Sequence, residues 1–208
     1  LTSYTMEEKV SRECIMSEEV DVIVDVVDAS CLERNLYLTL QLIELGKPVV
    51  LALNMMDIVE ERGMEIDLHR LPEMLGIPAI PVSARKKTGL EILMHSVAHH
   101  KEYAKQGPFI HHHSENTQHQ HNHHTEYAMV YDDCIEDKID MLISQFDEKY
   151  PDMKNKRWHA IKFLEQDETV MRQYPLEIKA LAEHNYEKEI INQKYDFIKE
   201  VIEEILVN

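Results

Sequence analysis

Pro48-Val49-Val50-Leu51-Ala52-Leu53-Asn54-Met55-Met56-Asp57 decides the fold. An apolar run stops abruptly at Asn54, and an acid follows three residues later. A Val-rich run without alternation reads as a strand buried on both faces of a parallel sheet. In open α/β sheets, ligands lie just beyond the carboxyl ends of such strands, so Asn54 and Asp57 stand where a ligand is expected. A carboxylate there can accept both the ring N–H and the exocyclic amine of guanine, a donor pair that adenine does not offer in that arrangement. The amide of Asn54 can brace neighbouring loops or meet the purine edge. Alone, N-x-x-D also fits a strand end that caps the next turn.

A second stretch adds to the first. Gly76-Ile77-Pro78-Ala79-Ile80-Pro81-Val82 reads as another short buried strand and runs into Ser83-Ala84-Arg85. In guanine-binding GTPases a Ser-Ala-Lys-like loop follows the next strand and offers a backbone N–H to the guanine O6. Here Arg85 stands in the Lys place. Two base-reading loops on successive strand ends predict a guanine half-site of Asn54, Met55, Asp57, Ser83, Ala84 and Arg85. None of these residues is expected to do chemistry.

The same residues carry a closer resemblance. Asp28-Ala29-Ser30-Cys31-Leu32-Glu33-Arg34-Asn35-Leu36-Tyr37-Leu38-Thr39-Leu40-Gln41-Leu42, followed by Asn54-Met55-Met56-Asp57, resembles the GTPase domain of the ferrous iron transporter B family. Arg157-Trp158-His159-Ala160-Ile161-Lys162-Phe163-Leu164-Glu165-Gln166-Asp167 resembles a signature of that family's helical domain. Met55, in place of the Lys of ordinary GTPases, follows the same pattern and removes a cation that would pack over the nucleotide. The resemblance implies a slow GTPase on the cytoplasmic face of the cell membrane, using GTP or GDP with Mg²⁺ in the intact parent. Its helical domain favours bound GDP, and hydrolysis gates or drives iron(II) uptake. It also implies that the phosphate-binding motifs precede Leu1. No G-x-x-x-x-G-K-[ST] loop is present, since Gly46, Gly63, Gly76, Gly89 and Gly107 are each isolated. A phosphate cradle needs closely spaced glycines and a Lys. The expectation is therefore a fragment of a membrane protein that holds no nucleotide tightly and is inactive alone. Its partners in the parent would be guanine nucleotide, the missing N-terminal half and the membrane domain.

The expected fold class is α/β followed by all-α: a truncated P-loop-GTPase-type parallel sheet with flanking helices, then a small helical bundle. The expected domains are residues 1–107, a His-rich linker at 108–125, and a helical domain at 126–208. Glu19 to Asp28 reads as a strand. Asp28 would brace the following loop, and Ser30 with Glu33 would form a capping box for a helix stopped by Gly46 and Pro48. Ile58 to Arg62 reads as a charged turn, Ile66 to Leu75 as a helix started late or kinked by Pro72, and Thr88 to Lys105 as a helix. That last helix would carry Leu90, Leu93, Met94 and Val97 on one side. Its His95 and His99 are read as surface residues rather than metal ligands. Beyond Glu126, Ile135, Ile139, Leu142 and Phe146 mark one amphipathic helix. Trp158 would anchor the bundle, Asp167 would cap a short helix, and Ile178, Leu181, Ile191, Ile198, Ile202 and Ile205 would stripe the last.

Composition narrows the partners. The 208 residues carry 39 acidic and 22 basic side chains, a formal charge of −17, which disfavours nucleic acid and anionic membrane surfaces. Cys14, Cys31 and Cys134 are far apart and show neither a disulfide framework nor zinc-ligand spacing, as suits a reducing cytosol. No apolar run approaches bilayer length. The tract from His111 to His124 favours transition metal, so an alternative reading is a non-enzymatic acidic helical module that captures metal there. Finally, a strand at Val20–Val27 next to a missing strand would leave an open edge and favour a homodimer.

Overall fold

The computed structural model describes residues 5–101, 129–178 and 184–207. The His-rich tract, the boundary at Gly107-Pro108 and Leu181 lie outside the described residues. A three-stranded parallel sheet has the order β1-β2-β4, formed by β1 (Ile23–Asp28), β2 (Val49–Asn54) and β4 (Ala79–Pro81). The quoted stretch supplies the central strand, and Val49 to Leu53 are all buried. The register pairs Asp28 with Asn54, and Leu53 with Pro81, so the carboxyl ends of the three strands come together.

β1 starts at Ile23 rather than at Glu19. The Lys47 ammonium donates to the carbonyls of Ser17 and Val20, the latter at 2.9 Å, and holds the chain in a turn ahead of the strand. The capping box also fails to form. Asp28 Oδ1 accepts the Ser30 N–H (2.9 Å) and the Ser30 hydroxyl (2.7 Å), so Asp28 caps the 3₁₀ turn Ala29–Cys31 and Ser30 lies inside that turn rather than at a helix N-cap. Helix α2 (Leu32–Glu44) begins after this turn and buries Leu32, Leu36 and Leu40 against the sheet.

Residues 58–62 are not a turn. They belong largely to α3 (Met56–Glu61), because Met55 adopts a left-handed conformation (φ 65°) and its carbonyl accepts from Ile58 and Val59. Ile66 lies instead in the short strand β3 (Glu65–Ile66). Helix α4 (Arg70–Leu75) is delayed so that Pro72 falls in the first turn, where its missing N–H costs no helical bond. Helix α5 (Leu90–Ala98) is shorter than expected, and Leu90 and Met94 are exposed rather than joined to one packed stripe. His95 and His99 stack on each other, and among the described residues no group of three or more His, Cys, Asp or Glu could hold a metal.

The remainder is helical: α6 (Asp133–Lys149), α7 (Lys156–Leu164), α8 (Glu168–Gln173) and α9 (Glu187–Ile205). Asp167 caps α8 as expected, accepting from Thr169 and Val170. Ile135, Ile139, Leu142 and Phe146 of α6 pack with Ile161, Phe163 and Leu164 of α7 and Ile190 of α9. Two expectations are corrected. The stripe of α9 is Ile190, Lys194, Ile198, Val201 and Ile205, and only partly the predicted isoleucines. Its last three residues enter the sheet-side core with Leu36, Leu71 and Leu75, and β5 (Leu206–Val207) pairs antiparallel with β3. Trp158 does not anchor the bundle. It packs with Leu42, Leu45, Val49 and Val170, joining the bundle to the sheet half. Its size fills this joint, while the smaller side chains of α7 face the bundle.

A buried ion pair crosses the same joint. Arg12 of α1 (Met6–Met16) reaches Asp167 at 2.7 Å and lies over the Trp158 ring. Burial raises the Asp167 carboxyl, but the Arg12 hydrogen bond and the Val170 N–H outweigh it and hold the carboxyl below its ordinary value. A lowered folded value contributes stability that is present above the unfolded carboxyl range and lost as pH falls through the folded value. Arg12→Ala is expected to cost about 1–2 kcal/mol near neutral pH, allowing for partial solvent screening. The variant should also lose less of its stability between neutral and acid pH than the parent. Urea midpoints measured across that range check both effects; parallel pH profiles would contradict the assignment.

Candidate functional site

The carboxyl end of β2 meets the loop after β4. Val82 N donates to Leu53 O (2.8 Å), and Met56 N donates to Val82 O (3.2 Å), which stitches the two strand ends together. Ser83 and Thr88 exchange both backbone hydrogen bonds at 3.1 Å and close the loop between them. Gly89 then turns the chain into α5. A Cβ there would lie 2.2 Å from the Pro81 carbonyl oxygen, and its φ is +76°, so only glycine fits.

Inside this frame the predicted residues converge. Asn54 Oδ1 accepts the Ala84 N–H at 3.0 Å, so its amide braces the loop, one of the two roles the sequence left open. Asp57, only 4% exposed, sits in the first turn of α3. Its Oδ1 accepts the Ser83 hydroxyl at 2.8 Å, and Ser83 Oγ accepts the Lys86 N–H at 3.2 Å. Its Oδ2 forms an ion pair with Arg85 Nη2 at 2.6 Å. The Ser83 hydrogen bond is the largest influence on the Asp57 carboxyl and, helped by Arg85, keeps it below the ordinary carboxylate range. An ionised, acceptor-only group is thus fixed at the end of the central strand. Met55 contributes through its backbone turn, and its side chain is exposed.

Glu61 was not foreseen. It accepts from Arg85 Nη2 at 2.9 Å. Its position four residues after Asp57, on a segment that proved helical, was the available signal. A buried carboxylate with two oxygens at a strand end matches the adjacent N–H donors of a guanine edge.

Comparison with known proteins agrees with this architecture. The profile described as "Ferrous iron transport protein B" matches residues 1–97, and that of the "FeoB cytosolic helical domain" matches residues 131–207. The Fe(2+) transporter FeoB of Legionella pneumophila is 48% identical over 95 residues, and that of Salmonella typhimurium is 44% identical over 96. The aligned parts are 46% of this chain but only 13% and 12% of those proteins. Among solved structures, a GDP-bound point mutant of S. thermophilus NFeoB superposes with a TM-score of 0.79 at 32% identity, covering 98% of this chain and 76% of that one. The cytosolic domain of L. pneumophila FeoB gives 0.75 at 28% identity, with 100% and 76% covered. In order, in fold and over nearly its whole length, the chain belongs to the ferrous iron transport protein B family.

Proposed function

We propose that this chain carries the guanine-reading half of a GTP-binding domain, with its helical regulatory domain, in a protein that moves iron(II) across a membrane. On this reading residues 1–107 belong to the GTP-binding domain, 108–125 to a linker and 126–208 to the helical domain. Asp57 receives the ring N–H and amine of guanine, Asn54 braces the neighbouring loop, and Ser83, Ala84 and Arg85 form that loop above the base. What carries the proposal is the Asp57 carboxylate, buried at a strand end and held ionised by Ser83. The S. thermophilus relatives bound to GDP and to mGMPPNP support a guanine nucleotide as the ligand. GTP or GDP with Mg²⁺ would supply the phosphoryl chemistry, which depends on phosphate positioning and metal. The residues here contribute selection of the base. Iron(II) uptake regulated by this domain on the cytoplasmic face, through contact with a membrane domain, extends the same proposal.

The test is a fluorescence titration of this polypeptide with labelled GDP, with labelled ADP as control. The expected result is weak binding with GDP preferred, and no Mg²⁺-dependent GTP turnover. Equal binding of both nucleotides would overturn the guanine assignment, and turnover would overturn the division of labour.

Self-association belongs to the same reading. β1 pairs only with β2 among the described strands, so its other edge is open, and Val26 on this strand is 62% exposed. Open edges of this kind template further pairing. The chain is expected to dimerise at high concentration, and Val26→Lys should shift it to monomer in sedimentation experiments. A monomeric parent chain would refute the edge contact.

A further inference from the structure

Asp57 has two oxygens, and both are engaged by the loop that follows β4. Ser83 hydrogen-bonds to Oδ1 (2.8 Å), and Arg85 Nη2 sits on Oδ2 (2.6 Å). The same Nη2 donates to Glu61 Oε1 (2.9 Å), so the guanidinium is tethered between two carboxylates. Ser83 leaves lone pairs on Oδ1, because a carboxylate oxygen accepts more than one hydrogen bond. Arg85 is different in kind. It is a planar, permanently charged group whose N–H donors suit the same carboxylate edge that a guanine fork uses.

We infer that Arg85 is an affinity-setting residue that competes with guanine for Asp57, occupying Oδ2 until the base displaces it. This rests on the guanine reading above. Two observations make displacement feasible. The Arg85 side chain is 64% exposed, so it can swing into solvent without disturbing the fold. Only the Arg85 end of the pair is exposed, and solvent screening there keeps the competition modest, so it lowers affinity without abolishing it. Glu61 strengthens the competitor, since it holds the guanidinium beside Asp57 without touching the base-reading carboxylate itself. A guanidinium can also stack on an aromatic face, and that role would give the opposite sign in a mutant.

The test uses this chain and two neutral nucleosides, guanosine and adenosine, followed by chemical-shift titration. Arg85→Ala should bind guanosine about fivefold more tightly than the parent. Glu61→Gln should give a smaller gain in the same direction, and adenosine binding should not change. Because guanosine is uncharged, added salt acts only on the competitor. It should tighten guanosine binding to the parent and leave Arg85→Ala unaffected. Unchanged or weaker guanosine binding by Arg85→Ala, with guanosine still preferred to adenosine, overturns the competition and leaves the guanine site standing. No preference for guanosine in any variant, or no binding at all, overturns the guanine reading and the competition with it.

Discussion

Asp57→Asn is expected to remove most of the preference for guanine over adenine, by about tenfold or more, while leaving the chain folded. On the guanine reading proposed above, the carboxylate would accept from both N–H groups of the guanine edge. An amide in its place keeps one acceptor and turns an NH₂ donor toward a donor of the base. Asn Oδ1 can still accept from Ser83, so the loop frame survives the change. The same logic predicts a gain: xanthine carries a carbonyl where guanine has the amine, and the Asn NH₂ can donate to it. Xanthosine diphosphate should therefore bind the variant better than it binds the parent. Competition of GDP, XDP and ADP against a labelled nucleotide reads both effects, and unchanged ranking of the three would sink the assignment of Asp57. The parent site should also resist acid. The Asp57 carboxyl is held low by Ser83, so its acceptor form persists as pH falls through the ordinary carboxylate range and is lost only below the lowered value.

Much of this site was legible because it depends on local sequence. Val49 to Leu53 read as a doubly buried strand and are one, and Asn54 and Asp57 follow it at fixed spacing. The convergence of Ser83 and Asp57 follows from two neighbouring parallel strands ending at one level. What was illegible depends on competition between partners distant or subtle in sequence. Ser30 was expected to cap a helix, but the Asp28 carboxylate, two residues earlier, accepts the Ser30 N–H and caps a 3₁₀ turn that takes Ser30 in. Residues 58–62 lack a helical apolar pattern, and the left-handed Met55 starts their helix regardless. Trp158 was expected to anchor the bundle because of its size. Its own partners, Leu42, Leu45 and Val49, lie more than a hundred residues earlier. Lys194 gave no signal at all as a core residue, since a lysine in an acidic helix reads as solvated.

That lysine is where the largest stability effect is expected. Lys194 is fully buried, its Nζ lies 3.0 Å from Glu44 Oε2 of α2, and it sits 5.7 Å from the centroid of the Tyr37 ring. Tyr131 donates its hydroxyl to the other oxygen of Glu44, so one carboxylate of the sheet half joins two segments of the helical half. Burial and the Glu44 charge push the Tyr131 hydroxyl well above its ordinary value, so it remains the donor across the accessible pH range. Lys194→Ala is expected to cost about 3–5 kcal/mol, because it empties the space of the stem and leaves Glu44 without its cation. Pairing Lys194→Met with Glu44→Gln should recover most of this, since replacing both charges by groups of similar volume removes the unpaired ion. Trp158, the single tryptophan, packs where α2 and β2 meet the helical half, so its emission reports on that joint during urea unfolding. In Lys194→Ala its red shift should come at lower urea than in the parent, and in the double variant it should return toward the parent midpoint. A single variant with the parent midpoint would mean that water screens the pair. A double variant no better than the single would mean that the Lys194–Glu44 ion pair itself carries the stability, since the methionine restores the volume of the stem and the glutamine removes the unpaired charge.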